Sequence, residues 1–227
     1  MDQMKRYAIY YAPREGAFSA RANEWIGRDP ANGAALPQPV FPGIGDPHSI
    51  TVDARRYGFH GTIRAPFRLA DCVDAAQVAE AVAELASRLA PVRCEGLVLE
   101  NLRGFLALTP VGCEAALLEF AAVVVEGTNR FRAPLTEAEV ARRAPERLTS
   151  RQRTLLDAWG YPHVMEEFRF HLTLTDRLPA AKAALVMTAL EGHFAPVLPR
   201  PFVIEDLCLF GENDMGFQLL HRYALTG

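Results

Sequence analysis

Lysine is nearly absent: Lys5 and Lys182 stand alone, and arginine supplies the rest of the 24 basic residues. Arginine offers phosphate a planar fork of donors, but so wide a skew reads first as genome composition. A strong charge of either sign is missing too. The formal net charge of −3 excludes dependence on bulk attraction to nucleic acid or anionic membrane, and leaves room only for a local basic patch. Cysteine is sparse: Cys72, Cys94, Cys113 and Cys208 form no CxxC pair, so they read as reduced, buried small residues of a cytoplasmic protein. None of the six histidines lies near a cysteine or carboxylate at a zinc-ligand spacing, which leaves no metal and no cofactor in the expectation. No apolar run reaches the length of a membrane span, and the opening Met-Asp-Gln-Met-Lys-Arg-Tyr carries no apolar signal core. What is present is ordinary for a chain with a real core: 227 residues, half of them apolar and 22% charged.

The chain repeats its architecture. Residues 57–69 alternate and are rich in β-favouring side chains, which predicts a strand. Asp74-Ala-Ala-Gln77 has the form of a helix capping box, and Val78, Val82, Leu85 and Leu89 follow as one apolar stripe up to Pro91. Residues 97–108 then read as a hairpin turning at Arg103-Gly104. From Phe168 the order recurs: an alternating strand over 169–175, Pro179 at a helix start, a helix face of Ala183, Val186, Leu190 and Phe194, and a hairpin over 202–220. His60 to Gly104 is 44 positions and His171 to Gly216 is 45. Each unit is preceded by a strand closed by proline (Pro13, Pro110) and a helical stretch. The reading is an α+β chain of two pseudo-symmetric lobes, near 1–105 and 106–227, with antiparallel sheets lining a central cleft, helices outside and strands exchanged between lobes.

One segment has no counterpart. The insertion at 133–167 holds Arg142, Arg143, Arg147, Arg151 and Arg153 beside Glu137, Glu139 and Glu146. It reads as a pair of exposed short helices, or as a lid carrying arginines to an anionic substrate. Residues 27–46, rich in Pro, Gly and Ala, read as a long surface loop.

His60-Gly61-Thr62-Ile63 and His171-Leu172-Thr173-Leu174 are the same tetrad. On a strand, positions i and i+2 share a face. Each imidazole therefore sits beside a threonine hydroxyl, with Ile63 and Leu174 in the core behind. A pair of imidazoles can divide the work of phosphodiester cleavage. One, neutral, takes a proton from the attacking water; the other, charged, protonates the leaving oxygen; the hydroxyls donate to the nonbridging oxygens. The bland alternative is a histidine in each lobe satisfied by its neighbouring hydroxyl.

These residues carry a resemblance. Arg-Tyr-Gly-Phe-His-Gly-Thr-Ile, Phe-Arg-Phe-His-Leu-Thr-Leu-Thr and the opening Arg-Tyr-Ala-Ile-Tyr-Tyr-Ala-Pro resemble the two-histidine (2H) phosphoesterase superfamily, and within it the DUF1045-like branch of phosphonate-metabolism proteins found beside carbon–phosphorus lyase genes. The resemblance spans essentially the whole chain. It implies the bilobal fold, and activity on cyclic phosphates or 2′,5′-type linkages without a metal. It assigns catalysis to His60, Thr62, His171 and Thr173. On strand parity Arg64 and Arg169 are taken as further phosphate ligands, and Tyr10 and Tyr57 as groove-lining residues. His48, His163, His193 and His221 lack a Thr or Ser two positions on and are expected to be idle.

The function so implied is hydrolysis of a small cyclic phosphate or nucleotide-like phosphodiester in phosphonate catabolism. One alternative is an RNA-end 2′,3′-cyclic phosphodiesterase or 2′,5′-RNA ligase-like enzyme, against which the acidic balance counts. Another is a non-catalytic nucleotide-binding or regulatory protein. Substrate, oligomeric state and protein partners are left open by the residues.

Overall fold

The structure, a computed structural model, describes residues 4–227. Its first strand shows how the chain sorts its side chains. Along β1 (Arg6–Tyr11), Tyr7, Ile9 and Tyr11 join the large helix-covered core, while Ala8 and Tyr10 face the other way into a small aromatic cluster with Phe210 and Phe217. Period-two alternation thus gives one face to packing and the other to the cleft.

Along the chain come α1 (Ala17–Ile26), α2 (Val52–Tyr57), β2 (Gly61–Phe67), α3 (Ala75–Arg88), β3 (Val92–Cys94), β4 (Gly96–Leu102), β5 (Phe105–Val111) and α4 (Glu114–Thr128). There follow α5 (Glu137–Ala141), α6 (Ser150–Trp159), β6 (Leu172–Thr173), α7 (Ala180–Phe194), β7 (Phe202–Ile204), β8 (Asp206–Asn213) and β9 (Gly216–Ala224). Seven strands run in the order β4-β5-β6-β2-β1-β8-β9, every neighbouring pair antiparallel, and β3 pairs with β7 apart from them. The sheet has a weak seam. Strands β2 and β6 share the single pair Gly61↔Leu172, so β4-β5-β6 and β2-β1-β8-β9 are two arms of one antiparallel sheet, joined where the two tetrads lie. The last hairpin, β8–β9, completes the sheet of β1 and β2, and β4–β5 completes that of β6.

Helices close the far face. Helix α3 packs on β8 and β9, α4 on β2 and β3, and α7 on β4 and β5, with α1 beside α7. The Asp74 box is formed: its carboxylate accepts from Gln77 N–H and the Gln77 side chain accepts from Asp74 N–H, a cap of about 1 kcal/mol. Val78, Val82 and Leu85 of the stripe are buried, each worth about 1.5–3 kcal/mol against exposure. The helix stops at Arg88, before Leu89 and Pro91.

Three expectations are corrected. The strand expected over 57–69 begins only at Gly61, because Val52–Tyr57 is helical; its free N–H groups at Val52 and Asp53 are taken by the Asp176 carboxylate at 2.8 and 3.0 Å, which favours a helix start there. The strand expected over 169–175 keeps two residues. Beyond Thr173 the chain leaves the ladder: Leu174 and Thr175 N–H both turn to Leu106 O, and Asp176 N–H goes to Ile50 O. The cysteines are not all reduced. Cys94, ending β3, and Cys113, the residue before α4, lie 5.0 Å apart at Cα and form a disulfide, leaving Cys72 and Cys208 free. Nothing in the 19-residue spacing announces that pair. Residues 27–46 contain no helix or strand, as read. Among the described residues no helix is long and apolar enough to cross a membrane.

Candidate active site

Strand register places the first tetrad. Tyr10 pairs with Thr62 and Tyr11 with Gly61, so Thr62 shares Tyr10's cleft face, and His60 lies tilted against Tyr10 with ring centroids 4.1 Å apart. Tyr57, at the end of α2, lies 5.7 Å from His60 and is stacked on Phe217 at 5.0 Å. The second tetrad comes from β6, where Ala107 pairs with Thr173, and His171 packs 5.7 Å from Phe105. A cleft of about 310 Å³ is lined by Tyr10, Tyr57, His60, Thr62 and Thr173, with Phe105 at its wall. His171 does not line this cleft; with Arg169 it lines a second hollow above β4 and β5.

Both imidazoles are held in the same way. His60 Nδ1 lies 2.9 Å from Gly58 O and His171 Nδ1 lies 2.8 Å from Arg169 O, each the carbonyl two residues back. A carbonyl only accepts, so each Nδ1 carries the hydrogen, and each Nε2 is left with a lone pair in the neutral ring. At His60 that lone pair accepts the Thr62 hydroxyl at 3.2 Å. Burial pushes His60 down to about 4; the Gly58 carbonyl partly opposes this and the charge of His171 adds to it. Burial also lowers His171, against the pull of the Arg169 carbonyl. Both rings are therefore neutral near pH 7, and a charge on His171 would be felt at His60.

Tyr10 is fully buried, and among the described residues its hydroxyl has no hydrogen-bond partner. An orphaned donor beside a cleft is a place for a ligand atom, since leaving it unmade costs about 1–3 kcal/mol. Burial, first, and nearby Tyr57 hold its phenol well above the usual range, so it stays a donor.

The two parity arginines fare differently from expectation. Arg64 does not face the cleft. Between Tyr10↔Thr62 and Ile9↔Arg64 the ladder shifts, so β2 bulges at Ile63 and Arg64 takes the face of Ile9. It is 1% exposed and donates to Trp159 O and Asn129 Oδ1, both at 3.2 Å. Arg169 is exposed and folds back on the carbonyls of Glu166 and Phe168.

Several lining residues were not singled out by their motifs. Arg6 belongs to the wall but is held by Glu212 at 2.6 and 2.9 Å. Thr175 spends its hydroxyl on Leu106 N–H, and Asp176 caps α2. Tyr161 and Arg143 come from the 133–167 insertion. Parity two and four residues beyond His171 could have flagged Thr175; nothing distinguishes Arg143 from the other four arginines of its segment. Of the histidines expected to be idle, His193 is a buried packing residue whose Nε2 lies 3.2 Å from Arg21 O, and none of the four lines this cleft.

Comparison with known proteins adds a family. The chain is 37% identical over 224 residues to "Ribose 1,5-bisphosphate phosphokinase PhnN" of Janthinobacterium sp. (strain Marseille), covering 95% of this chain and 49% of that protein. It is 34% identical over 216 residues to the protein of the same name from Laribacter hongkongensis (strain HLHK9), covering 93% and 49%. The chain thus spans about half the length of the curated relatives it matches. Among solved structures it resembles TT0787 of Thermus thermophilus, with 16% identity, TM-score 0.48 and 98% of each chain covered. It also resembles a structure described as a phosphoesterase, with 14% identity, TM-score 0.44 and 99% of each covered. Residues 62–219 match the family described as "Protein of unknown function (DUF1045)", and the chain belongs to that family.

Proposed function

We propose that this protein is a metal-independent phosphodiesterase that opens a small cyclic phosphodiester, with His60 and His171 as its acid–base pair. The observation that carries the reading is the matched tethering of the two imidazoles: each Nδ1–H is bound to its own i−2 carbonyl, which leaves each Nε2 as the ring's proton acceptor, shared at His60 with the Thr62 hydroxyl. In the step, a water oxygen attacks phosphorus and gives its proton to one Nε2, while the leaving ester oxygen takes a proton from the other as the P–O bond breaks. His60, the more strongly depressed of the two, suits the neutral base; His171 suits the acid once an anionic substrate raises it. Thr62, Thr173 and the orphaned Tyr10 hydroxyl would donate to the nonbridging oxygens as their charge grows.

The relatives suggest the substrate class. Their name describes a kinase acting on a ribose bisphosphate, and no Gly precedes either lysine of this chain to make a GxxxxGK[ST] phosphate loop. We place the kinase activity of those proteins in the half this chain does not share. A phosphodiesterase joined to such a kinase would supply it by opening a cyclic ribose phosphate to a monoester, in phosphonate breakdown. The test is incubation of ribose 1,2-cyclic phosphate, its 5-phosphorylated form and nucleoside 2′,3′-cyclic phosphates with the protein in excess EDTA, read by phosphorus NMR. Conversion of a ribose cyclic phosphate to a monoester in chelator supports the reading. Turnover only after chelator is removed and a divalent cation restored sinks it.

A further inference from the structure

The 133–167 insertion brings one unpaired cation to the cleft. Arg143 lies just after α5 and lines the same cavity as His60 and Thr62. Its guanidinium is 4.8 Å from the ring centroid of Tyr161, which lines that cavity too. Among the described residues the Arg143 guanidinium has no carboxylate partner and no hydrogen-bond acceptor, whereas in the same wall Arg6 is committed to Glu212 and Arg177 donates to Arg103 O, and Arg68, Arg147 and Arg151 are paired elsewhere. The presentation is built. Thr136 and Thr149 head α5 and α6 with capping boxes. The C-terminal carbonyls of α6 are received by side chains from the body of the protein: Trp159 O by Arg64, and Ala158 O by Asn129 and Arg132. Gly160 then takes a left-handed turn that a side chain could not share with Arg132, and Tyr161 follows. A guanidinium laid on an aromatic ring keeps its edge donors for an anion. The buried Tyr10 hydroxyl in the same cavity also lacks a partner among the described residues.

We propose that Arg143, laid over Tyr161, is a specificity-determining residue that binds a second phosphoryl group of the substrate, distinct from the diester that is cleaved. This deepens the phosphodiesterase reading and rests on it for the identity of the cleaved group. The two histidines and threonines serve one phosphorus, and the Arg143 guanidinium in the cavity wall is a fork suited to a phosphate monoester. The insertion is then a recognition element, and the substrate a phosphorylated cyclic phosphodiester.

The experiment is equilibrium binding by calorimetry, which does not depend on turnover, with ribose 1,5-bisphosphate and ribose 1-phosphate as probes. Wild type is expected to bind the bisphosphate at least ~10-fold more tightly, as a charge-assisted bidentate contact allows. Arg143→Met, which keeps an apolar chain on Tyr161, should bring the ratio to about one, and Arg143→Lys should restore part of it. Arg147→Met, on the same segment but paired with Glu146, should keep the wild-type ratio. Equal affinity for both probes in wild type, no binding of the bisphosphate, or a preference that survives Arg143→Met would overturn the proposal. If the preference holds but no cyclic phosphodiester is turned over, the hydrolase reading fails alone; turnover without the preference removes only the role of Arg143.

Discussion

The ring of Phe170 lies against the α-carbon of Gly61: a Cβ built at Gly61 would stand 2.2 Å from Phe170 Cζ. Each residue neighbours a catalytic candidate, Gly61 between His60 and Thr62, and Phe170 just before His171. Since Gly61↔Leu172 is the one ladder pair between β2 and β6, a side chain at this contact would push the two tetrads apart. The tetrads are alike in sequence but not interchangeable, for Leu172 could not stand where Gly61 does.

Gly61→Ala should therefore separate the histidines without removing either. Overpacking of this kind costs about 1–3 kcal/mol, and a displacement near 1 Å costs about 100-fold in rate. Urea unfolding and turnover on a cyclic phosphodiester measure the two effects. Full activity in Gly61→Ala would mean the seam does not set the geometry.

The histidine environments give activity a pH dependence of definite sign. In the free protein both rings are lowered, His60 to about 4, so as pH rises His60 first becomes the neutral base and His171 then loses the proton the acid needs. kcat/KM should form a bell whose maximum lies below the ordinary histidine value near 6.5 and which falls towards neutral pH. A plateau extending above pH 8 would contradict a protonated histidine in the rate-limiting step.

Stability carries the same signature. A ring with a folded value near 4 and an unfolded value near 6.5 binds more protons when unfolded. Its contribution is complete above about pH 6.5 and is lost as pH falls towards 4. Between pH 7 and 5 this amounts to about 2 kcal/mol. Denaturation at the two pH values should show that loss in wild type and a smaller one in His60→Gln; an equal loss in both would place the titration elsewhere.

Arg64 should prove a structural residue. Arg64→Met removes the donor to Trp159 O and leaves that carbonyl unmet, a cost of about 1–3 kcal/mol. Amide exchange should quicken across α6 and the turn at Gly160 while β1 and β8 stay protected. Unchanged exchange in 150–161 would show that the insertion is held by other contacts.

How much of this could be read from the chain depends on which signals are local. The Asp74 capping box, the α3 stripe and the hairpins over 96–111 and 206–224 follow from neighbouring residues; the hairpin ends lie up to four residues from the expected 97–108 and 202–220, and Phe202–Ile204 pairs with β3 instead. The two His-x-Thr pairs were legible because a two-residue period survives in a short extended segment. Arg64 was misplaced by one bulge, a feature of the pairing with β1 that β2's own sequence does not display. The truncation of β6 and the start of α2 are two ends of one long-range event, Asp176 capping Val52 and Asp53, which no window near either site contains. The Cys94–Cys113 pair and the choice of Arg143 among five arginines are likewise products of tertiary placement.

The most direct measurement is turnover of a ribose cyclic phosphate, in excess chelator, by wild type, His60→Ala, His171→Ala and the double variant. Two groups acting as one acid–base pair should each cost about 100-fold to 10,000-fold when removed, and the double variant should be little worse than either single one. Single variants that keep most of the rate, or losses that simply multiply in the double variant, would contradict a paired mechanism across the seam between β2 and β6.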